Sequence, residues 1–284
     1  MRDYVIMTDS SCDLPVELLQ QNNVHVVPLG VTIGEKTFKQ YPDYREMSKD
    51  EFYKALQNGE TGHTAGTNIQ DAAEMMTDIV KNGQDIIYLS LSSGLSCSYQ
   101  NACLAAEEVL EEYPDAKIAV VDSLSVATGI GLLILKAAHY RDDGMDFNTA
   151  LENIYDNIKD VRLKFVVEDL EALRRGGRIS HLTASVGSML NIKPLLHIDP
   201  NGKIQSFGKA RGRKAALKQL SNDMIMSARD TTTFIIAHTG ALEDAEEMKI
   251  AVEAAHPHAN VIITEIGPVV STHTGMKTMA FTYM

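Results

Sequence analysis

The chain of 284 residues has no tryptophan, only three cysteines and an aromatic content of 6%. Cys12, Cys97 and Cys103 form no CxxC pair and are too few for a disulfide framework, which excludes a stapled secreted scaffold and a cysteine-built zinc site. There is no HxxxH pair, no His/Cys cluster and no Walker A glycine loop, so neither a metal nor any other cofactor is expected. Apolar runs are short. The longest, "TGIGLLILKAA", stops at Lys136, below the roughly 18 residues that a membrane span needs, so no stable membrane insertion is expected. The opening "MRDYVIMTDSSCDLP" sets one Arg and an Asp ahead of five apolar residues, too short and too acidic for a signal peptide, and a reduced, cytoplasmic protein is the expectation. Cations are scarce as well. With 26 Lys and Arg against 38 Asp and Glu the net charge is -12, which disfavours nucleic acid as a partner.

What is present is the makings of a large core, since 44% of residues are hydrophobic. Apolar β-rich runs alternate with helical patterns through the first half: "YVIMT", "VHVVPLGV", "DIIYLSL" and "KIAVVDS" are interleaved with amphipathic segments at 71–83 and 98–113 and a long helix from about Val126. That rhythm predicts a parallel sheet covered on both faces. Asp13 is placed to cap the helix that follows Pro15. The polar, aromatic stretch at 33–58 predicts a small inserted hairpin plus a short helix. Beyond about residue 160 the character changes: "LKFVVEDL" reads as a strand, "LLHIDPNGKIQSFGKA" as a hairpin turning at Pro200, Asn201 and Gly202, and helices alternate with strands at 211–266. The fold class expected is α/β, an N-terminal parallel-sheet domain (1–160, with the insertion) and a C-terminal mixed-sheet α+β domain (161–284).

Chemistry is concentrated where strands meet helices. In an open parallel sheet, ligands bind beyond the carboxyl ends of the strands, and "SSGLSCS" places Ser92, Ser93, Ser96 and Ser98 there. Three readings of Ser96 stay open. It partly matches a hydrolase elbow G-x-S-x-G, of which Gly94-Leu95-Ser96 supplies the first half and Ser98 breaks the second. It also fits an anion site, where hydroxyls and a helix end hold a carboxylate or phosphate, or a plain helix cap. "TGHTAGTNIQDAAEMM" has the same grammar, with Asn68 as N-cap and Thr64 upstream of the reach of capping. His273 in "VVSTHTG" and His238 in "IIAHTGA" are equivalent candidates on this reading, and Asp9 ends the first strand either as a polar floor to the cleft or as a turn. In "LRRGGRIS", the two glycines permit positive φ or close backbone approach, and Arg178 after them is placed to pair with an anion.

These segments, taken in order, resemble the DegV family. The resemblance spans nearly the whole chain and rests on "TDSSCDLP" (8–15), "TAGTN" (64–68), "SSGLSCSYQNA" (92–102), "VVDSLSVATGIG" (120–131), "LEALRRGGRIS" (170–180), "LNIKPLLHIDPNGKI" (190–204) and "IGPVVSTHTG" (266–275). It implies the family's EDD fold and a non-enzymatic carrier, which encloses a long-chain, palmitate-like fatty acid near the domain junction and serves the ATP-binding subunit of a fatty acid kinase in phospholipid metabolism. By position in the motifs, it implies that Thr64 and Ser96, with Ser93 beside them, hydrogen-bond the carboxylate and that His273 lies next to them. Arg178 and Arg211 are assigned to the phosphoryl group or the kinase surface. Leu182, Val186, Met189, Leu190 and Ile192 are the candidates for the acyl slot. The chain departs from the family's usual residues at Ala65-Gly66-Thr67 (Ser-Gln-Pro), Cys97-Ser98 (Gly-Thr) and Met276-Lys277 (Pro-Gly). The alternatives are a serine hydrolase built on Ser96, His273 and Asp9, and a phosphate or nucleotide binder using the same loops.

Overall fold

The structure, a computed structural model, describes residues 3–168, 170–179 and 191–284. The first strand, β1 (Tyr4–Asp9), is buried along its whole length, as a run of apolar residues in a doubly covered sheet must be. It leads through a short 3-10 turn into α1 (Val16–Gln21), β2 (Val24–Val27) and β3 (Leu29–Ile33). "VHVVPLGV" is therefore two strands rather than one. Pro28 has no N–H to give a ladder, and the chain changes sheet there: Val24–Val27 pair with β1, while β3 pairs with β4 (Lys36–Gln40) and β5 (Gly62–Thr64) in a separate antiparallel sheet. The inserted hairpin and helix are present as β3, β4 and α2 (Lys49–Gln57), with β5 as an unanticipated third strand. Tyr53 Oη donates to the Ile266 carbonyl at 2.7 Å and pins the insertion to the second half of the chain.

α3 (Ile69–Lys81) begins where the Asn68 side chain accepts the Asp71 N–H, the expected cap. β6 (Asp85–Ser90), α4 (Ser98–Glu112), β7 (Ile118–Asp122), α5 (Thr128–Asp142) and α6 (Phe147–Ile158) complete the first half. The parallel sheet has the order β2-β1-β6-β7. The chain leaves β1 in one direction to β2 and, on returning to β6, continues in the other to β7, so the crevice between the carboxyl ends of β1 and β6 is the topological switch point.

The second half runs β8 (Arg162–Val166), α7 (Glu171–Arg175), β9 (Ile192–Ile198), β10 (Ile204–Arg211), α8 (Arg213–Ser227), β11 (Thr233–His238), α9 (Leu242–Ala255), β12 (Asn260–Glu265), α10 (Pro268–Thr274) and β13 (Met279–Tyr283). Its six strands form one mixed sheet, β10-β9-β8-β13-β11-β12, with β11 and β12 parallel and the other pairs antiparallel. β9 and β10 are the predicted hairpin, and Gly202 takes φ +70° at its turn. The C-terminal strand β13 lies in the middle of this sheet and is buried throughout. Among the described residues no helix is long and apolar enough to cross a membrane.

Asp13 does not cap α1, whose first turn has no side-chain cap. It takes φ +50° and turns its carboxylate to a residue 254 positions away, accepting the Gly267 N–H at 2.9 Å. Gln40 works beside it, donating to the Ser10 carbonyl at 2.7 Å and accepting the Val269 N–H at 2.6 Å. The open N–H groups at the start of α10 are thus met by side chains from β4 and the first turn, which fixes where α10 sits. Burial raises the Asp13 pKa from 3.8 to about 8. The folded chain then keeps a proton that the unfolded chain gives up at lower pH, a contribution fully present below pH 3.8 and lost as pH rises through about 8. Buried Asp9 has the same sign. Denaturant unfolding at pH 5 and pH 8 should show the wild type losing more stability over that interval than Asp13→Asn, by up to about 1.4 kcal/mol per pH unit. Equal losses would mean that Asp13 is ionised in the fold.

Candidate functional site

A narrow cavity lies between the carboxyl edge of the parallel sheet and the mixed sheet. It leaves about 740 Å³ free of atoms with its mouth included, yet the centre of a water-sized sphere can move through only about 80 Å³ of it. Its apolar walls come from strand positions two apart on β8, Leu163 and Phe165, from Ala280 on β13, from Val269 and Val270 on α10, and from Leu91, Leu95 and Val126 in loops that follow β6 and β7. The polar side chains on its lining are Thr64, Ser96, Arg178, His273, Thr274 and Thr278. Two of these are spent on nearby backbone: Thr274 donates to the Val270 carbonyl at 3.3 Å, and Thr278 to the carbonyls of Thr274 and Gly275 at 3.1 Å.

The other four form one connected patch. Thr64 ends β5, and its Oγ1 lies 2.8 Å from His273 Nε2 in the last turn of α10. The His273 ring packs against Gly176. Arg178 donates from Nε to the Leu95 carbonyl at 3.2 Å and from Nη1 to the Gly176 carbonyl. Ser96 follows Leu95, and its Oγ accepts the Ser98 N–H at 3.1 Å at the start of α4. Burial, and then the charge of Arg178, lower the His273 pKa to about 4, so the ring is neutral at pH 7. Two hydroxyls, a neutral imidazole and one guanidinium facing an otherwise apolar slot make a site for a single carboxylate or a similar anion on a long apolar body.

Of the remaining expected residues, three lie elsewhere. Ser93 is exposed, its N–H given to Asp122 at 3.1 Å, and Arg211 is exposed at the end of β10. Neither lines the cavity. Ile192, opposite Arg211 at the start of β9, is also off its described lining. Leu182, Val186, Met189 and Leu190 lie outside the described residues. Sequence reasoning passed over Leu163, Phe165, Val270 and Ala280, although the i, i+2 pair in "LKFVV" is the signal of one strand face. Between the two histidines the structure discriminates: His238 is buried, accepts the Ala241 N–H at 3.3 Å and is absent from the cavity. The residues of a hydrolase triad are not assembled. Asp9 accepts from the Ser11 and Leu91 N–H groups, each at 3.0 Å, and from Ser11 Oγ at 2.5 Å, while His273 Nε2 is engaged by Thr64 rather than Ser96.

Each glycine of "RRGG" has its own reason. Gly177 takes φ +73°. Gly176 has an ordinary φ of -69°, but a Cβ there would lie 2.3 Å from His273 Nδ1. Gly176→Ala should therefore push the imidazole off Thr64 and cost about 1–3 kcal/mol. In a His273→Ala background the same change should cost little. A double-mutant cycle in denaturant reads the difference, and additive costs would show that the ring does not depend on Gly176.

Residues 3–284 match the family described as "Uncharacterised protein, DegV family". The DegV domain-containing protein CPE0026 of Clostridium perfringens is 35% identical over 287 residues, covering 100% of this chain and 98% of the relative. Two solved structures superpose over nearly their whole length. DegV of Bacillus subtilis, described as a fatty acid binding protein, is 27% identical with a TM-score of 0.88 and 99% of both chains covered. The fatty acid binding DegV family protein SAG1342 of Streptococcus agalactiae is 28% identical with a TM-score of 0.86, covering 99% of this chain and 98% of its own. With the family match running over residues 3–284 and a relative 35% identical across the whole chain, the chain belongs to the DegV family.

Proposed function

We propose that this protein binds one long-chain fatty acid in the cavity, its carboxylate held by the Thr64 and Ser96 hydroxyls beside His273 and Arg178, and presents it to a separate ATP-dependent kinase for conversion to an acyl phosphate. The observation that carries the reading is the lining itself: apolar walls with one patch where the Thr64 and Ser96 hydroxyls, the His273 ring and the Arg178 guanidinium come together. Among the described residues Arg178 has no carboxylate partner. A bound carboxylate supplies one.

The energetics favour such a ligand. Burying a methylene is worth about 0.8 kcal/mol, so roughly 14 of them gain on the order of 11 kcal/mol before the costs of association. Few polar contacts are then needed, and those present set the orientation of the acid. A phosphate or nucleotide would leave the apolar walls unused. The two units, 1–160 and 161–284, enclose the acid between the switch-point loops of the first and the sheet face of the second. Exposed Arg211 belongs in this reading to the surface that meets the kinase, and exposed Ser93, expected beside the carboxylate, stands outside the head-group patch.

Native mass spectrometry of purified protein, followed by denaturing extraction, should find a fatty acid at near one per chain. Thr64→Ala and Ser96→Ala should each weaken palmitate binding by about tenfold to a hundredfold, the worth of a hydrogen bond to a charged group. A protein that is empty and refuses added palmitate overturns the proposal. Covalent labelling of Ser96 by a fluorophosphonate would instead favour the hydrolase. For the kinase step, Arg211→Ala should slow acyl phosphate formation while sparing palmitate binding; loss of lipid binding would move Arg211 to the pocket.

A further inference from the structure

Ser98 and Asn101 are one turn apart on α4, outside the cavity, and both reach the same residue of the loop that carries Thr64. The Thr67 N–H donates to Ser98 Oγ at 3.1 Å, and Asn101 Nδ2 donates to the Thr67 carbonyl at 2.8 Å. Both polar groups of one backbone residue are thereby fastened to the first turn of α4. The seat is close: a Cβ on neighbouring Gly66 would lie 3.3 Å from Ser98 Oγ and 2.7 Å from Cys97 Sγ. On its other side the loop is tied to β3, with the Ala65 N–H given to the Gly30 carbonyl at 2.9 Å.

Ser98 also faces Ser96. It is fully buried, and the two Oγ atoms are 2.9 Å apart. A hydroxyl has one proton and two acceptor positions. Ser98 Oγ receives the Thr67 N–H, and its own proton has Ser96 Oγ within reach. Either hydroxyl can donate across that contact; with Ser98 as the donor, Ser96 Oγ accepts both the Ser98 O–H and the Ser98 N–H, the latter at 3.1 Å. Its acceptor positions are filled, and its one proton is left to point into the cavity.

We infer that Ser98, assisted by Asn101, is the positioning residue of the head-group site: it locks the loop of Thr64 to the helix start that carries Ser96 and orients the Ser96 proton as a donor. This rests on the fatty-acid reading above, and it names residues that never touch the ligand. Threonine at this position would keep the hydroxyl and so the function.

The test titrates the full-length chain and its variants with palmitate and with methyl palmitate, which fills the slot but presents no carboxylate. Ser98→Ala should weaken palmitate binding about tenfold and methyl palmitate by less than about threefold. Ser98→Thr should stay within about threefold of wild type for both. Asn101→Ala should follow Ser98→Ala in direction, which keeps the proposal open to test if Ser98→Ala fails to fold. Palmitate affinity unchanged in Ser98→Ala and Asn101→Ala overturns the inference, and so does an equal loss for acid and ester, the mark of a merely structural role. A wild type that binds no palmitate overturns the fatty-acid reading and this inference together; a wild type that binds it, with variants that bind equally well, overturns the inference alone.

Discussion

The hydrogen bond between Thr64 Oγ1 and His273 Nε2 spans 209 residues of sequence at 2.8 Å, and it can form only if two distant segments are each held to within a fraction of an ångström. Much of the polar interior serves that constraint. Thr64 sits at the end of a three-residue strand that is steadied by β3 on one side and by the first turn of α4 on the other. His273 sits on a seven-residue helix too short to hold its own position, and buried side chains from the N-terminal turn and β4 satisfy its first N–H groups.

Buried polar groups are costly unless paired, and this chain pairs them across its two halves. The Gly267 N–H to the Asp13 carboxyl at 2.9 Å, Thr264 to the Asp13 carbonyl at 2.9 Å, Ser92 to the Gly202 carbonyl at 2.8 Å and the Thr128–Thr282 hydroxyl pair at 2.6 Å all join the first 130 residues to the last 90. An apolar seam alone would let the halves slide, since dispersion contacts are non-directional. Directional bonds fix one register, and with it one shape for the slot. The neutral state of His273 follows from the same burial: a protonated ring beside Arg178 would be two cations in a buried cleft.

The parallel sheet was legible because its strands are rich in apolar residues and punctuated by a helix cap at Asn68. The split at Pro28 was signalled by the proline, but the run around it is apolar on both sides, so only the register shows that Leu29 has left the sheet of Val27. β13 and α10 went unread. "MAFTY" is five residues with no alternation, and "PVVSTHT" is helical because side chains 229 and 254 positions away meet the N–H groups at its start, which no local pattern encodes. At the site, residue chemistry alone left Ser96 with three readings and His273 level with His238. The resemblance to the DegV family singled out Thr64, Ser96 and His273. Slot walls were sought at 182–192, most of which lies outside the described residues; the described lining draws on β3, β5, β8, β10, β13, α10 and the loops after β6 and β7, because a cavity between two halves belongs to no contiguous stretch.

The most direct measurement is a crystal structure of the protein with palmitate. The carboxylate is expected within about 3.2 Å of both Thr64 Oγ1 and Ser96 Oγ, with the acyl chain running along Leu163, Phe165 and Ala280. A lipid seated outside the cavity, or inside it with its carboxylate away from both hydroxyls, would contradict the account.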